Sequence, residues 1–197
     1  MPTFPSIQPT SAQMRKVNPT RITTTLNGLE QRESSAGQYF ALTLEFANLS
    51  QSEQRQIQGL FAETGGPVTT FDYQLPDFMG DSTGTYAGGI TMTNTYSAGV
   101  STVVVNAGGS VIDIKAGDLV TFTGHNKVYM LTANATSAGG SNYTLKIDPP
   151  LRAGVSATTA VTHKNITMKV RFVSDNQEFD VDPTLYANFT LELVEVL

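Results

Sequence analysis

LSQSEQRQIQGLFAETGGP, residues 49–67, is the stretch on which the fold turns. It combines helical periodicity with a start and a stop. Ser50 and Glu53 have the spacing of a capping box, in which the hydroxyl takes a free first-turn N–H and the carboxylate reaches back. Ile57, Leu60 and Phe61 recur at i, i+3 and i+4 and predict one buried face. Gly65-Gly66 supplies a left-handed stop, and Pro67 bars continuation. The pattern predicts a helix over 51–64. So short a helix is marginal in water and needs a surface to pack on. Burying those three side chains stabilises by at most about 1.5–3 kcal/mol each.

The flanking sequence predicts that surface to be a β-sheet. Before the helix, Phe40, Leu42, Leu44 and Phe46 alternate within a strand over 38–47. Earlier, the β-branched run Thr20–Leu26 predicts a strand, Asn27-Gly28 a two-residue hairpin turn, and Leu29–Ser34 the return strand. Ala36-Gly37 turns the chain again. Residues 1–19 carry Pro2, Pro5, Pro9 and Pro19 and little periodicity, which predicts an extended arm lying on something. After the helix, Val68–Leu75 alternates through Phe71, Tyr73 and Leu75. Near the end, Ile166, Met168, Val170 and Phe172 alternate, then Phe189, Leu191 and Leu193 within 187–197. A strand so close to the last residue must be tied into a sheet or fray.

Between these parts the texture changes. Residues 76–89 read as a loop. Short strands follow over 90–95, 101–106, 119–124, 127–133 and 142–147. Turn residues such as Ala107-Gly108-Gly109 and Ala138-Gly139-Gly140 separate them. Strands this short without a helix predict a small closed barrel or sandwich. The expected fold is therefore mainly β and discontinuous. Residues 1–85 and 163–197 form one β domain, a sandwich or barrel with one packed α-helix over 51–64. Residues 86–162 are a second β domain inserted into a loop.

Composition narrows the function. The chain of 197 residues is 40% apolar, enough for a core, and has no cysteine. Disulfide frameworks and thiolate metal sites are thereby excluded, in keeping with a reducing compartment. No apolar run has the length of a membrane span, and the first residues lack the pattern of a signal peptide. A net charge of −5 argues against binding nucleic acid by neutralising phosphates. Only 15% of residues are charged, a mixture suited to surfaces that other subunits cover.

Candidate chemistry is sparse. His125 lies in a turn-like Gly124-His125-Asn126-Lys127 and His163 at the expected domain junction; neither has a ligand-like partner at i+2 or i+4. Asp113, Asp118 and Asp148 read as turn residues more readily than as an acid–base pair. Asp175, Glu178, Asp180 and Asp182 form an acidic run, read as solvated loop or partner surface. No serine has a nucleophile-elbow context, and Gly88-Gly89 and Gly108-Gly109 open strands rather than phosphate-cradling helices. The expectation is a non-enzyme with no catalytic, cofactor or metal residues. Tyr96, Tyr129 and Tyr143 fall in the inserted domain. Core packing is their plainer reading, with Tyr129 and Tyr143 the candidate contacts for a sugar or base. Arg15-Lys16 and Arg21 form a small basic patch suited to an acidic neighbour.

One resemblance draws these parts together. Lys115-Ala116-Gly117-Asp118-Leu119, Lys127-Val128-Tyr129, the strand Tyr143–Ile147 and Pro149-Pro150-Leu151-Arg152 occur in an order and spacing that resemble the inserted domain of distal tail proteins from long-tailed (siphovirus-type) bacteriophages. The N-terminal hairpin, the Leu49-Ser50/Glu53 helix start, the Gly65-Gly66 break and the short final strand resemble that family's first domain. The long N-terminal arm departs from it.

The resemblance implies a tail-tube-like β domain with one helix and an inserted barrel like the oligonucleotide/oligosaccharide-binding (OB) fold. It implies a structural protein of the virion, at the tail tip or baseplate and assembled in the host cytoplasm. Six copies would form a hexameric ring joining the tail tube protein to the hub, with DNA passing through. Sequence-specific nucleic-acid binding and membrane insertion are not implied. Two alternatives stand beside it: a module binding host-surface carbohydrate, and a tail tube or terminator protein.

Overall fold

The computed structural model describes residues 2–34, 37–79, 89–176, 180–181 and 186–196. In chain order its strands are β1 (Ser11–Val17), β2 (Thr20–Thr24), β3 (Glu30–Ser34) and β4 (Tyr39–Leu49). The helix α1 (Gln51–Thr64) follows, and then β5 (Phe71–Gln74). Next come β6 (Ile90–Met92), β7 (Thr102–Asn106), β8 (Leu119–Phe122), β9 (Tyr129–Leu131), β10 (Thr136–Gly139), β11 (Asn142–Asp148) and β12 (Ala160–Thr162). The chain ends with β13 (Thr167–Phe172), β14 (Asp180–Val181) and β15 (Ala187–Glu195). The fold is mainly β, with one packed α-helix and a small closed barrel.

Two compact units divide the chain. The first comprises Met1–Asp72 and Lys169–Leu197; the second is Tyr73–Met168. The chain leaves the first unit within β5 and returns within β13. Residues 73–79 and 163–168, grouped by the sequence with the first domain, thus fall in the second unit; residues 80–85 lie outside the described residues. The alternation of β5 and β13 runs through the division without turn residues, so nothing in the sequence punctuates it.

In the first unit the sheet order is β1-β4-β15-β13-β5, with β14 pairing β15. The alternation in β4 buries Phe40, Leu42, Leu44 and Phe46, and that in β15 buries Phe189, Leu191 and Leu193. Antiparallel pairing sets Leu44 opposite Leu191 and Leu42 opposite Leu193, so both apolar rows share one face. The expected arm lies on this unit, and its second half is a strand, β1, that the sequence did not mark. β1 pairs antiparallel with β4 from Ser11↔Glu45 to Val17↔Tyr39.

The helix begins and ends as its residues dictate. The Ser50 N–H donates to Glu53 Oε2 at 2.9 Å, and the Glu53 N–H donates to Ser50 Oγ at 3.4 Å, the reciprocal pair of a capping box. The Ser50 hydroxyl also donates to Glu53 Oε2, at 2.6 Å, and this bond first and the Ser50 N–H second hold the Glu53 carboxyl below its ordinary pKa. Gly65 takes the left-handed conformation at φ 63°, and its N–H returns to the Phe61 carbonyl. Ile57 and Leu60 are buried; Phe61 is half-buried, its ring set edge-on to Phe172 with centroids 5.3 Å apart. Gln54 and Thr64 extend the buried face. Pro67 sits in a 3-10 turn over Gly66–Val68. The expected strand from Val68 therefore starts only at Phe71, and Val68 is exposed.

In the second unit, β6, β7, β11, β9, β8 and β12 pair in that order, and β12 pairs back to β6 to close a six-stranded antiparallel barrel. β10 pairs with β11 outside the closed ring. Met92, Val103, Val105, Phe122, Leu145 and Ile147 fill the interior, as expected of a barrel this narrow. The five-stranded OB fold has one stave fewer. The last of the six in chain order, β12, buries only Val161.

Candidate functional site

The inserted tyrosines serve the barrel itself. Tyr129 is wholly buried, and its ring lies edge-on to Phe122 at 5.2 Å. Its hydroxyl accepts the Arg152 N–H at 3.1 Å and lies 3.0 Å from His125 Nδ1. His125 Nε2 lies 3.4 Å from the Gly154 carbonyl. One assignment of protons satisfies this chain of contacts: the hydroxyl donates to Nδ1, and Nε2–H donates to Gly154. The turn residue His125 and the strand residue Tyr129 together pin the segment 152–154. So placed, Tyr129 shows no ring face to a ligand. Tyr96 acts likewise, its hydroxyl accepting the Val104 N–H at 2.9 Å. Tyr143 is half-buried, packed against the barrel core opposite Val105.

The acidic candidates do not converge. Asp118 Oδ2 accepts the Lys115 N–H at 2.9 Å, the turn-capping role its position after Gly117 predicts. Asp113 pairs with Lys115 Nζ at 3.2 Å, both well exposed, a contact of little energetic weight. Asp148 lies in β11 before a cis bond to Pro149. His163 is half-buried beyond β12. Of the acidic run, Asp175 lies against Gly66. Glu178 and Asp182 lie outside the described residues, as does the side chain of Asp180. Among the described residues, no three His, Asp or Glu are grouped to hold a metal ion. Nor is any helix long and apolar enough to cross a membrane.

The structure instead singles out the hairpin β2–β3. It forms a two-stranded sheet of its own, paired from Thr20↔Ser34 to Thr24↔Glu30. Every residue from Thr20 to Glu33 is exposed. Ile22 is 61% exposed, Leu26 fully so and Leu29 68%. Opposite Ile22 stands Arg32, which pairs with Glu30 at 2.6 Å. Arg21 and Thr23, with Gln31, Arg32 and Glu33, line an open hollow along the ribbon.

The turn differs from the two-residue type expected of Asn27-Gly28. The Gly28 N–H donates to the Thr25 carbonyl, and the Thr25 N–H to the Leu29 carbonyl. The loop therefore holds three residues, 26–28, with Gly28 left-handed at φ 77°. The longer loop displays both leucines at the tip. A two-stranded hairpin with no core is marginal in water.

The same unit presents one open sheet edge. β1 ends the strand order, and among the described residues no strand pairs with its outer side. At the opposite edge, Thr3 forms a parallel bridge to Asp72 of β5. Phe4 is buried there, its ring 6.0 Å from Phe46 and 6.3 Å from Phe71. Arg15 and Lys16 lie exposed on β1.

Sequence reasoning missed two buried charged residues. Glu195 accepts the Phe40 N–H at 2.9 Å within the first unit, and Lys127 is buried in the barrel. Glu195 continues the inward parity of Phe189, Leu191 and Leu193, whereas the turn before β9 gives Lys127 no such sign. In comparison with known proteins, the chain matches no protein-family model and no curated protein.

Proposed function

We propose that this chain is a structural, self-assembling component of a phage tail tip or baseplate. Its copies join into a ring that adapts the tail tube to the hub and lets DNA through. The observation that carries this reading is the β2–β3 hairpin, exposed along its length with Ile22, Leu26 and Leu29 in solvent. Apolar side chains gathered on an element with no core favour association. The open β1 edge supports the same reading, because an unpaired edge recruits a strand. In a head-to-tail arrangement, the open β1 edge of one copy meets a different surface of the next. Such a contact, repeated about an axis, closes a ring. The hexamer and the tail location rest on the family resemblance.

The test is the mass of the purified chain by light scattering after size exclusion, followed by negative-stain imaging. The expected result is a discrete ring at high concentration. Leu26→Ser with Leu29→Ser should shift it toward monomer without changing the far-ultraviolet spectrum. A wild-type chain that remains monomeric at millimolar concentration overturns the reading.

A further inference from the structure

We propose that Asn27-Gly28, at the tip of the β2–β3 hairpin, is a site of spontaneous backbone modification. In the free chain the Asn27 side chain closes onto the Gly28 nitrogen, and water opens the resulting imide to aspartate or isoaspartate. The reaction goes beyond the ring reading and does not depend on it.

Sequence and structure together set this asparagine apart. Of the asparagines in the chain, Asn27 alone precedes a glycine. Gly28 has no Cβ to crowd its nitrogen, and the space beside its Cα is open. Asn27 is exposed, and among the described residues no hydrogen bond holds its side chain. Other asparagines are committed elsewhere. Asn134 Oδ1 accepts the Ala116 N–H at 3.0 Å, and Asn188 Oδ1 accepts the Asn48 N–H at 2.8 Å. Asn18 precedes Pro19, whose nitrogen has no proton to give up.

The turn sets the condition for attack. The Gly28 N–H donates to the Thr25 carbonyl at 2.9 Å, so the nitrogen must first leave that acceptor. The hairpin is a two-stranded sheet of its own, exposed along its length. Opening its tip therefore disturbs no core and costs little.

The chemistry needs only water. The Gly28 nitrogen gives its proton to hydroxide and bonds to Asn27 Cγ. The Cγ–Nδ2 bond breaks, and the departing amide takes a proton from water and leaves as ammonia. Water then adds to one imide carbonyl. Opening on the Cγ side gives aspartate, and opening on the main-chain side gives isoaspartate. Either product adds a negative charge, to a chain already at −5, between the exposed Leu26 and Leu29. Isoaspartate also lengthens the main chain of the loop by one atom, so the Gly28–Thr25 bond loses its register.

The full chain, kept dilute at mildly alkaline pH in heavy-oxygen water, provides the test. Timed samples are mapped by peptide mass spectrometry, and isoaspartate is tagged with an isoaspartyl methyltransferase. Amide loss at Asn27 should run several-fold faster than at Asn126, which is also exposed but precedes Lys127. The product should carry heavy oxygen and the isoaspartate tag. Gly28→Ala should slow the loss several-fold. Asn27→Gln, which keeps the glycine turn but must close a larger ring, should abolish it over the same period. Asn27 remaining intact while Asn126 converts overturns the site. An unchanged rate in Gly28→Ala, or aspartate without isoaspartate, overturns the imide route.

Discussion

Glu195, on the last strand, accepts the backbone N–H of Phe40, on β4, across 155 positions of sequence, with both residues buried. The carboxylate takes a main-chain donor at the start of β4 and so ties the end of β15 to the strand beside it. Glu195→Leu should cost roughly 1–3 kcal/mol, because Phe40 loses this acceptor in a buried setting. Glu195→Gln, which keeps an acceptor oxygen, should cost less. Urea midpoints of the two variants check the ranking.

The helix face should be unequal to its back. Leu60→Ala should destabilise by about 2–5 kcal/mol, while Gln56→Ala, exposed, should change stability by less than about 0.5 kcal/mol. Ser50→Ala removes the cap and should cost roughly 0.5–2 kcal/mol. Thermal unfolding of the three variants provides the comparison.

Glu53 gives the same helix a dependence on acid. Its folded pKa lies below the ordinary 4.5, chiefly through the Ser50 side-chain bond and then the Ser50 N–H. A depressed carboxyl stabilises the fold above its unfolded pKa, and that contribution is lost as pH falls through the folded value. Glu53→Gln should therefore flatten the stability profile below pH 4.5 and leave its shape near neutrality unchanged. Denaturant titrations at stepped pH measure the difference.

Tyr129 and Tyr143 should part company on losing their hydroxyls. Tyr129→Phe removes the group that meets both His125 and the Arg152 N–H, and should cost roughly 1–3 kcal/mol. Tyr143→Phe, half-exposed, should stay within about 0.5 kcal/mol of the parent. Amide exchange at Arg152 should quicken in the first variant and not in the second.

Local chemistry was legible where it acts locally. The capping box at Ser50 and Glu53, the glycine stop at Gly65 and the alternation in β4, β13 and β15 each depend on residues a few positions apart. All are present as read. The closed barrel followed from short strands and glycine turns, but its sixth strand did not. Closure depends on β12, a three-residue strand with Val161 alone inward, too brief for alternation to show. β1 was hidden for another reason: at a sheet edge its residues are exposed or half-buried, so no apolar row marks it. Three-dimensional placement took Tyr129 out of reach and buried Glu195, since their partners come from other strands. The hairpin was read as a hairpin, but only its isolation from any core makes it a candidate surface.

The adjacency of β5 and β13 in the sheet has an evolutionary consequence. The Leu75 N–H meets the Ile166 carbonyl at 2.8 Å, so the outgoing and returning segments run side by side before the barrel begins. Whatever is spliced between them starts and finishes at one socket, and the sheet need not shift register to receive it. Lineages could trade this cargo for a longer, shorter or differently folded one while keeping the frame that holds it.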